Sequence, residues 1–373
     1  MISIKEVSDK RGLAKFIDFP HDLYKNDSNY VPELFIAQRD LLSPGKHPFH
    51  EHSVIKKFLA FDGKIIKGRI AAILNNNHNS FNKTNEGFFG FFDSVNESEV
   101  AIALFQAVTN WLSTQNVVKI IGPVNPTTND PCGLLVDGFD SPPMAMMPYN
   151  KPYYSTLIET SGFKKEIDLL AYYLDSKTTD ERPIRLHKAL EERLLQKDII
   201  IRKINMKDFP NETIKLREVY NKAWDKNLGF VPMTDAEFKY LAKDLKMILD
   251  TDFCLLAQHK GELIGFALAI PDINQVLRKI KKGRLLPTGI FKLLFGRKKI
   301  NHLRVLALGV VEGYKKMGIE ACFYASIIEK AVKKNIAGGE ASWVLEDNFL
   351  MNKGIQSMAG RVYKTYRLYE KPV

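Results

Sequence analysis

The chain repeats itself. KNDSNYVP (Lys25–Pro32) recurs as KNLGFVP (Lys226–Pro232), and GRIAAI (Gly68–Ile73) recurs as GFALAI (Gly265–Ile270). Asn150 stands twelve residues before Gly162, as Asn348 stands twelve before Gly360, and every offset lies between 197 and 201. Three marks in one order at nearly one spacing constrain the fold more than any composition does, because they require two copies of one structural unit. A chain of 373 residues is too long for one ordinary core and suits two.

Each half carries the same order of patterns. Ile2–Val7 and Ile199–Ile204 read as opening strands, followed by the helical segments GLAKFIDFPHDLY and ETIKLREVYNKAW. Thr234 and Glu237 have capping-box spacing before FKYLAKDLKMIL. FLAFDG with IKGRIAAIL, and FCLLAQHKG with ELIGFALAI, read as paired strands, the second pair joined at His-Lys-Gly. GFFGFFDSV then feeds a helix whose Val100, Leu104, Phe105, Val108, Trp111 and Leu112 share a face. HLRVLALGVV feeds CFYASIIEKAV, with Phe323, Ile327, Ile328, Ala331 and Val332 on one face. A strand, a helix and a strand close each half. The expected boundaries are a first domain at 1–174, a charged helical linker at 175–198 and a second domain at 199–373, with a basic insertion at about 273–301.

This order resembles the GNAT acyl-CoA N-acyltransferase superfamily, most clearly from Ile200 to Val373. The resemblance implies an α/β fold of two tandem domains, each a mixed, mostly antiparallel sheet flanked by helices. In that family a strand ends in Gln/Arg-x-x-Gly-x-Gly/Ala, and the next helix aims its N-terminus at the coenzyme A diphosphate. Lys315 holds the first position, Gly318 the central glycine, and Glu320 replaces the last small residue. Leu308 and Val310 of the preceding strand, with Lys315, Lys316, Met317, Gly318, Ile319 and Glu320, are thereby assigned to acetyl-CoA or a longer acyl-CoA as donor substrate. Unpaired N–H groups and the helix dipole favour an anion at such a start, whereas Glu320 opposes one. The matching junction of the first half, DSVNESEV, has two acids and no glycine, and Ser94 with Glu97 fits a capping box instead. The first half is therefore expected to bind no cofactor.

Acyl transfer of this kind needs no metal, and none is expected; the amine must lose a proton before it attacks the thioester. GEASWVLEDN turns from apolar to polar, and Glu346 and Asn348 would share a strand face by period two. Glu346 is read as the base, directly or through water, and Asn348 as an orienting group. The family's general-acid tyrosine, four residues before the glycine of the last helix, is here Gln356; Tyr363 or Tyr366 of RVYKTYRLY could replace it. Cys132 reads as a packed thiol, and His47, His50, Glu51 and His52 match no zinc spacing.

The charge is local. Nine of the cations behind the net +11 lie between Ile273 and Asn301, with no acid among them. Apolar residues interleave with them, so two short helices broken at Pro287 and Gly289 would each show an apolar and a basic side. An anionic membrane surface suits this pattern; a nucleic acid is not expected, since no recognition motif accompanies the charge. MISIKEVSDKRGLAKF lacks a signal-peptide run and the three cysteines are widely spaced, which fits a cytoplasmic protein, peripheral at the inner membrane. The sequence thus reads as an N-acyltransferase acting directly from a CoA thioester, with a lipid amine or a long acyl chain in view. A non-catalytic tandem scaffold is the alternative.

Overall fold

The computed structural model describes residues 1–178, 182–224 and 230–373. Lys226 to Gly229 of the second KNLGFVP mark lie outside the described residues, as do 179–181 of the expected linker. The chain divides into two compact units: Met1–Leu169 with Asn274–Lys298 and Lys364–Val373, and Leu170–Ile273 with Lys299–Tyr363.

In the first unit β1 (Ile2–Glu6), β2 (Val54–Asp62), β3 (Ile65–Leu74) and β4 (Glu86–Ser94) pair antiparallel in that order. β5 (Lys119–Gly122) runs parallel to β4. β4 is buried almost end to end, as the aromatic run GFFGFF requires. Helix Ser98–Ser113 covers the sheet with Val100, Leu104, Phe105, Val108 and Leu112. Its N-cap is Glu97 without a side-chain hydrogen bond, so the Ser94–Glu97 capping box does not form. β4 holds Ser94 instead: its N–H donates to Tyr154 and its hydroxyl to the Val95 carbonyl. β6 (Leu134–Asp137) and the chain's last residues complete the sheet, with Thr365 opposite Asp137 and Tyr369 opposite Gly122.

β7 (Lys164–Asp175) is divided between the units at Leu169. In the second unit β8 (Ile199–Lys203), β9 (Cys254–His259), β10 (Glu262–Pro271) and β11 (His302–Val310) are antiparallel neighbours. β12 (Gly338–Leu345) runs parallel to β11, and β13 (Arg361–Pro372) is divided between the units after Tyr363. β9 and β10 turn through Lys260 and Gly261, both at positive φ, which matches the twist of the flanking strands. Thr234 and Glu237 form the expected capping box. Helix Ile319–Lys333 buries Ile319, Cys322, Phe323, Ser326 and Ile327; Val332 is exposed, so the buried stripe lies one step round from the expected face. The helix Arg182–Leu195, expected as a linker, packs into this unit through Leu194 and a His187–Glu329 hydrogen bond of 2.6 Å.

The repeat holds at the level of register. Gly68 pairs with Ser94, the last residue of β4, and Gly265 pairs with Val310, the last residue of β11. In both units this pairing carries a register shift. In both, the next pair is parallel and short: three residues in β4–β5 and four in β11–β12.

Candidate functional site

β11 and β12 pair only from His302–Gly338 to Val305–Ala341. Each strand then continues, to Val310 and to Leu345, without the other. The parting coincides with a bulge: Leu268 faces Ala307 while Ala269 faces Val305, which leaves Leu306 as the extra residue. A bulge adds twist and re-aims the backbone, and the strands open into a wedge with its base at Val305–Ala341.

Beyond the open end of β11 the chain turns through Gly313 and Lys316 at positive φ and enters helix Ile319–Lys333. Gly318 is the N-cap, at φ 96°, with no side chain to cap the helix. The first intrahelical bond runs from Cys322 N–H to the Gly318 carbonyl. The amides of Ile319, Glu320 and Ala321 therefore have no partner within the helix. Ile319 is fully buried and Met317 packs on the same core, so these two anchor the turn. Lys315 and Lys316 are exposed, and Lys315 donates to Glu312 at 3.1 Å. Glu320 is half-buried in the first turn beside Tyr324, whose hydroxyl is pushed up to about 12, first by burial and then by the Glu320 charge. Leu308 and Val310 both lie beyond the last β11–β12 pair, and the Leu308 carbonyl accepts from the indole of Trp224 at 3.2 Å.

Sequence periodicity misplaces Glu346 and Asn348. β12 ends at Leu345, and the chain turns through Glu346 and Asp347. Asn348 is the N-cap of helix Phe349–Ser357 and accepts from Met351 N–H at 3.2 Å. Both residues are exposed and share no strand face. Period two fails because the last apolar residue of the run is also the last of the strand. Gln356 Nε2 lies 3.4 Å from the Tyr172 hydroxyl, which donates to Asn352 at 2.9 Å.

The base of the wedge holds a group of which residue patterns singled out only Tyr363. Arg304 and Glu340 face each other across β11 and β12, both fully buried, with Nε and Oε1 3.5 Å apart. Ser342 Oγ donates to Glu340 Oε1 at 2.5 Å and accepts from Arg304 Nε at 3.1 Å. Tyr363 donates its hydroxyl proton to Glu340 Oε2. The Arg304 guanidinium lies 4.7 Å over the Trp343 ring. Beside Tyr363 stands Tyr173, ring centroids 5.6 Å apart, and the Tyr173 hydroxyl meets His302 Nε2 at 3.0 Å. Burial lowers the pKa of His302 and raises that of Tyr173. The missed signal was present: one charge inside each of two apolar runs, HLRVLALGV and GGEASWVL, that become neighbouring strands.

Over 99% of its length the chain is 35% identical to Protein YghO of Escherichia coli K12, covering 95% of it. It is 32% identical, again over 99%, to the bacterial ceramide synthase of Caulobacter vibrioides, covering 97% of that protein. The chain belongs to the family of these two proteins. No protein-family model matches it. A tandem GNAT protein from the clavulanic acid biosynthesis pathway superposes on all of this chain and on 98% of its own, with TM-score 0.58 at 9% identity. The fold is that of tandem GNAT proteins.

Proposed function

We propose that this protein is an acyltransferase that moves a fatty-acyl group from an acyl-CoA to the amine of a long-chain lipid base at a membrane surface. In this reading the diphosphate rests on the amides of Ile319–Ala321 with Lys315 and Lys316 beside it, and the pantetheine arm runs along the unpaired edge of β11. From Val310 to Leu306 that edge spans about 13 Å. The relative from Caulobacter is named for ceramide synthesis, and joining a long-chain amine to a fatty acyl group is the chemistry that name denotes.

The observation that carries the lipid part is the surface of the basic insertion. Its start is packed in the first unit: Val276 and Ile280 are buried, Asn274 donates to the carbonyls of Pro143 and Met144, and Arg284 grips Asp18. The first helix is only Asn274–Leu277, so the expected pair of amphipathic helices reduces to one, Gly289–Gly296. There Ile290, Phe291, Leu294 and Phe295 are exposed, with Leu286 beside them at 77%. Five large apolar side chains in a segment with nine cations and no acid fit an anionic bilayer, where each cation near the surface contributes about 1 kcal/mol. Among the described residues no helix is long and apolar enough to cross a membrane.

The first unit, in the same reading, holds no acyl-CoA. Its corresponding strand edge is occupied internally: Val124 N–H bonds the Phe89 carbonyl and Asn125 Oδ1 takes the Phe91 N–H at 2.6 Å. The test is direct. Purified protein is given palmitoyl-CoA or acetyl-CoA with either a long-chain amino alcohol in phosphatidylglycerol vesicles or a water-soluble amine, and amide is followed by mass spectrometry. Amide from palmitoyl-CoA is the expected product; amide from acetyl-CoA and a water-soluble amine alone would refute the lipid reading.

A further inference from the structure

The buried Arg304–Glu340–Ser342–Tyr363 group is unexplained by packing. An ion pair taken wholly out of water gains less than apolar residues of the same volume would. Arg304 and Glu340 are both fully buried, inside strands otherwise built mostly from Leu, Val, Ala and Gly. The pair stands one residue from the last contact between β11 and β12, at the closed base of the wedge.

Strand direction decides what can reach it. β11 and β12 are parallel, so their far ends, with Gly318 after one and Glu346 after the other, open on the same side. A donor whose diphosphate rests at Gly318 has its thioester at the opposite end of the pantetheine arm, towards Leu306 and Ala341. Glu346, five residues beyond Ala341, is about 16 Å of strand away from that point. Glu340 is at it. Its carboxylate accepts from two hydroxyls, Ser342 on one oxygen and Tyr363 on the other. Glu340 is closed to solvent, while Tyr363 and Ser342 are both partly exposed. Ser342 Oγ also accepts from the Arg304 guanidinium, a cation that opposes a passing proton, so Tyr363 is the group through which a proton reaches the carboxylate.

Resting on the acyl-transfer reading above, we propose that Tyr363 is the catalytic residue that takes the amine's proton and that Glu340 is the positioning carboxylate that receives it. The acceptor arrives as an ammonium ion. One N–H proton passes to Tyr363 Oη as the Tyr363 proton passes to Glu340. The freed nitrogen lone pair forms the C–N bond at the thioester carbonyl, whose π electrons move to oxygen. When that oxyanion collapses the C–S bond breaks, its electron pair leaving on sulfur. The thiolate takes the nitrogen's second surplus proton, and the proton held by Glu340 returns through Tyr363 to water. The sum is amide, free CoA thiol and one proton. Arg304 and Ser342 hold Glu340 in place, and the charged or titratable groups around Tyr363 include Tyr173, His302, Arg361 and, beyond Tyr173, Asp175.

The experiment uses the full chain, with kcat, KM and the pH profile measured for palmitoyl-CoA and a long-chain amine, and acyl-CoA affinity measured separately by calorimetry. Tyr363→Phe removes one hydroxyl and leaves the ring. It should lower kcat about a hundredfold or more while acyl-CoA affinity stays within twofold. Glu340→Gln should flatten the acid limb of the kcat profile, and Glu340→Asp should restore part of the rate. Because Glu340→Gln can fail to fold, Tyr363→Phe stands as the independent arm. An active wild type with unchanged kcat and pH profile in Tyr363→Phe overturns the proposal alone. A larger loss at Glu346→Gln than at Tyr363→Phe does so too. A wild type that binds acyl-CoA yet forms no amide overturns the reading beneath it and the proposal with it.

Discussion

At the scale of single residues, His21 shows how burial converts into pH dependence. It is 8% exposed, its Nδ1 meets the Tyr30 hydroxyl at 2.9 Å, and its pKa is lowered to about 4 by burial and then by Arg69. The folded state therefore holds the neutral ring while the unfolded chain protonates near 6.5. The stability it preserves is full above that value and is lost as pH falls from 6.5 towards 4, by about 2–3 kcal/mol. Urea midpoints at pH 7 and pH 4.5 should differ more for the wild type than for His21→Gln; equal differences would exclude His21 as the source. Gly318 is a second such residue. A Cβ there would meet only Leu190, at 3.6 Å, so space is available, but φ 96° strains any L side chain. Gly318→Val should lose about 1–2 kcal/mol and weaken acyl-CoA binding, checked by denaturation and calorimetry on the same sample. The turn at Gly318 was legible in the sequence because a glycine between a strand pattern and a helical one suits a positive-φ junction. Glu340 was not, since an acid inside an apolar run shows its partner only once the register of β11 and β12 is known.

At the scale of elements, strands and long helices followed their periodicity closely, and Thr234–Glu237 followed local chemistry. The misreadings arose where an element ends. Nothing in WVLEDN says that β12 stops at Leu345, because tertiary context decides whether a polar residue extends a strand or caps the next helix. In the basic insertion the apolar pattern suggested two helices, but Arg278 to Thr288 adopt turns held by packing and by Arg284–Asp18 and Lys282–Asp22 pairs. Exposure separates two roles within that one segment. Replacing Phe291, Leu294 and Phe295 together by Ser should abolish sedimentation with anionic vesicles and leave the melting temperature within about 2 °C, since these side chains are already in water. Val276→Ala should do the reverse, costing about 1 kcal/mol or more of stability and leaving vesicle binding intact. Vesicle binding unchanged by the triple variant would remove the membrane role.

At the scale of the whole molecule, the repeat correctly announced two units of one design. It did not announce that Lys364–Val373, from the end of the second half, belongs to the first unit's sheet. Both closing segments, KKEIDLLAYYLD and RVYKTYRLYEKP, have the aromatic and β-branched character that suits either sheet, so composition cannot choose between them. The assignment rests on long-range contacts: Tyr369 in the first core, Arg367 on Asp168, and the buried Lys364 ammonium on the carbonyls of Gly138 and Ser141. A chain ending at Tyr363 should expose the edge of β5 and lose those anchors. Its melting temperature should fall by more than ~5 °C, with partial recovery when a peptide of residues 361–373 is added. A melting curve identical to that of the full chain would show that the last ten residues are dispensable.

The placement of those ten residues also sets a timetable for synthesis. The first half leaves the ribosome with its sheet missing a strand, and that strand is made only after the whole of the second half. At ordinary elongation rates the wait is about 10–40 s, during which β5 presents an unpaired edge to every other nascent chain nearby. A cell that slows translation, or lacks a chaperone able to shelter that edge, should lose this protein to aggregates before it loses proteins whose domains close in the order they are made.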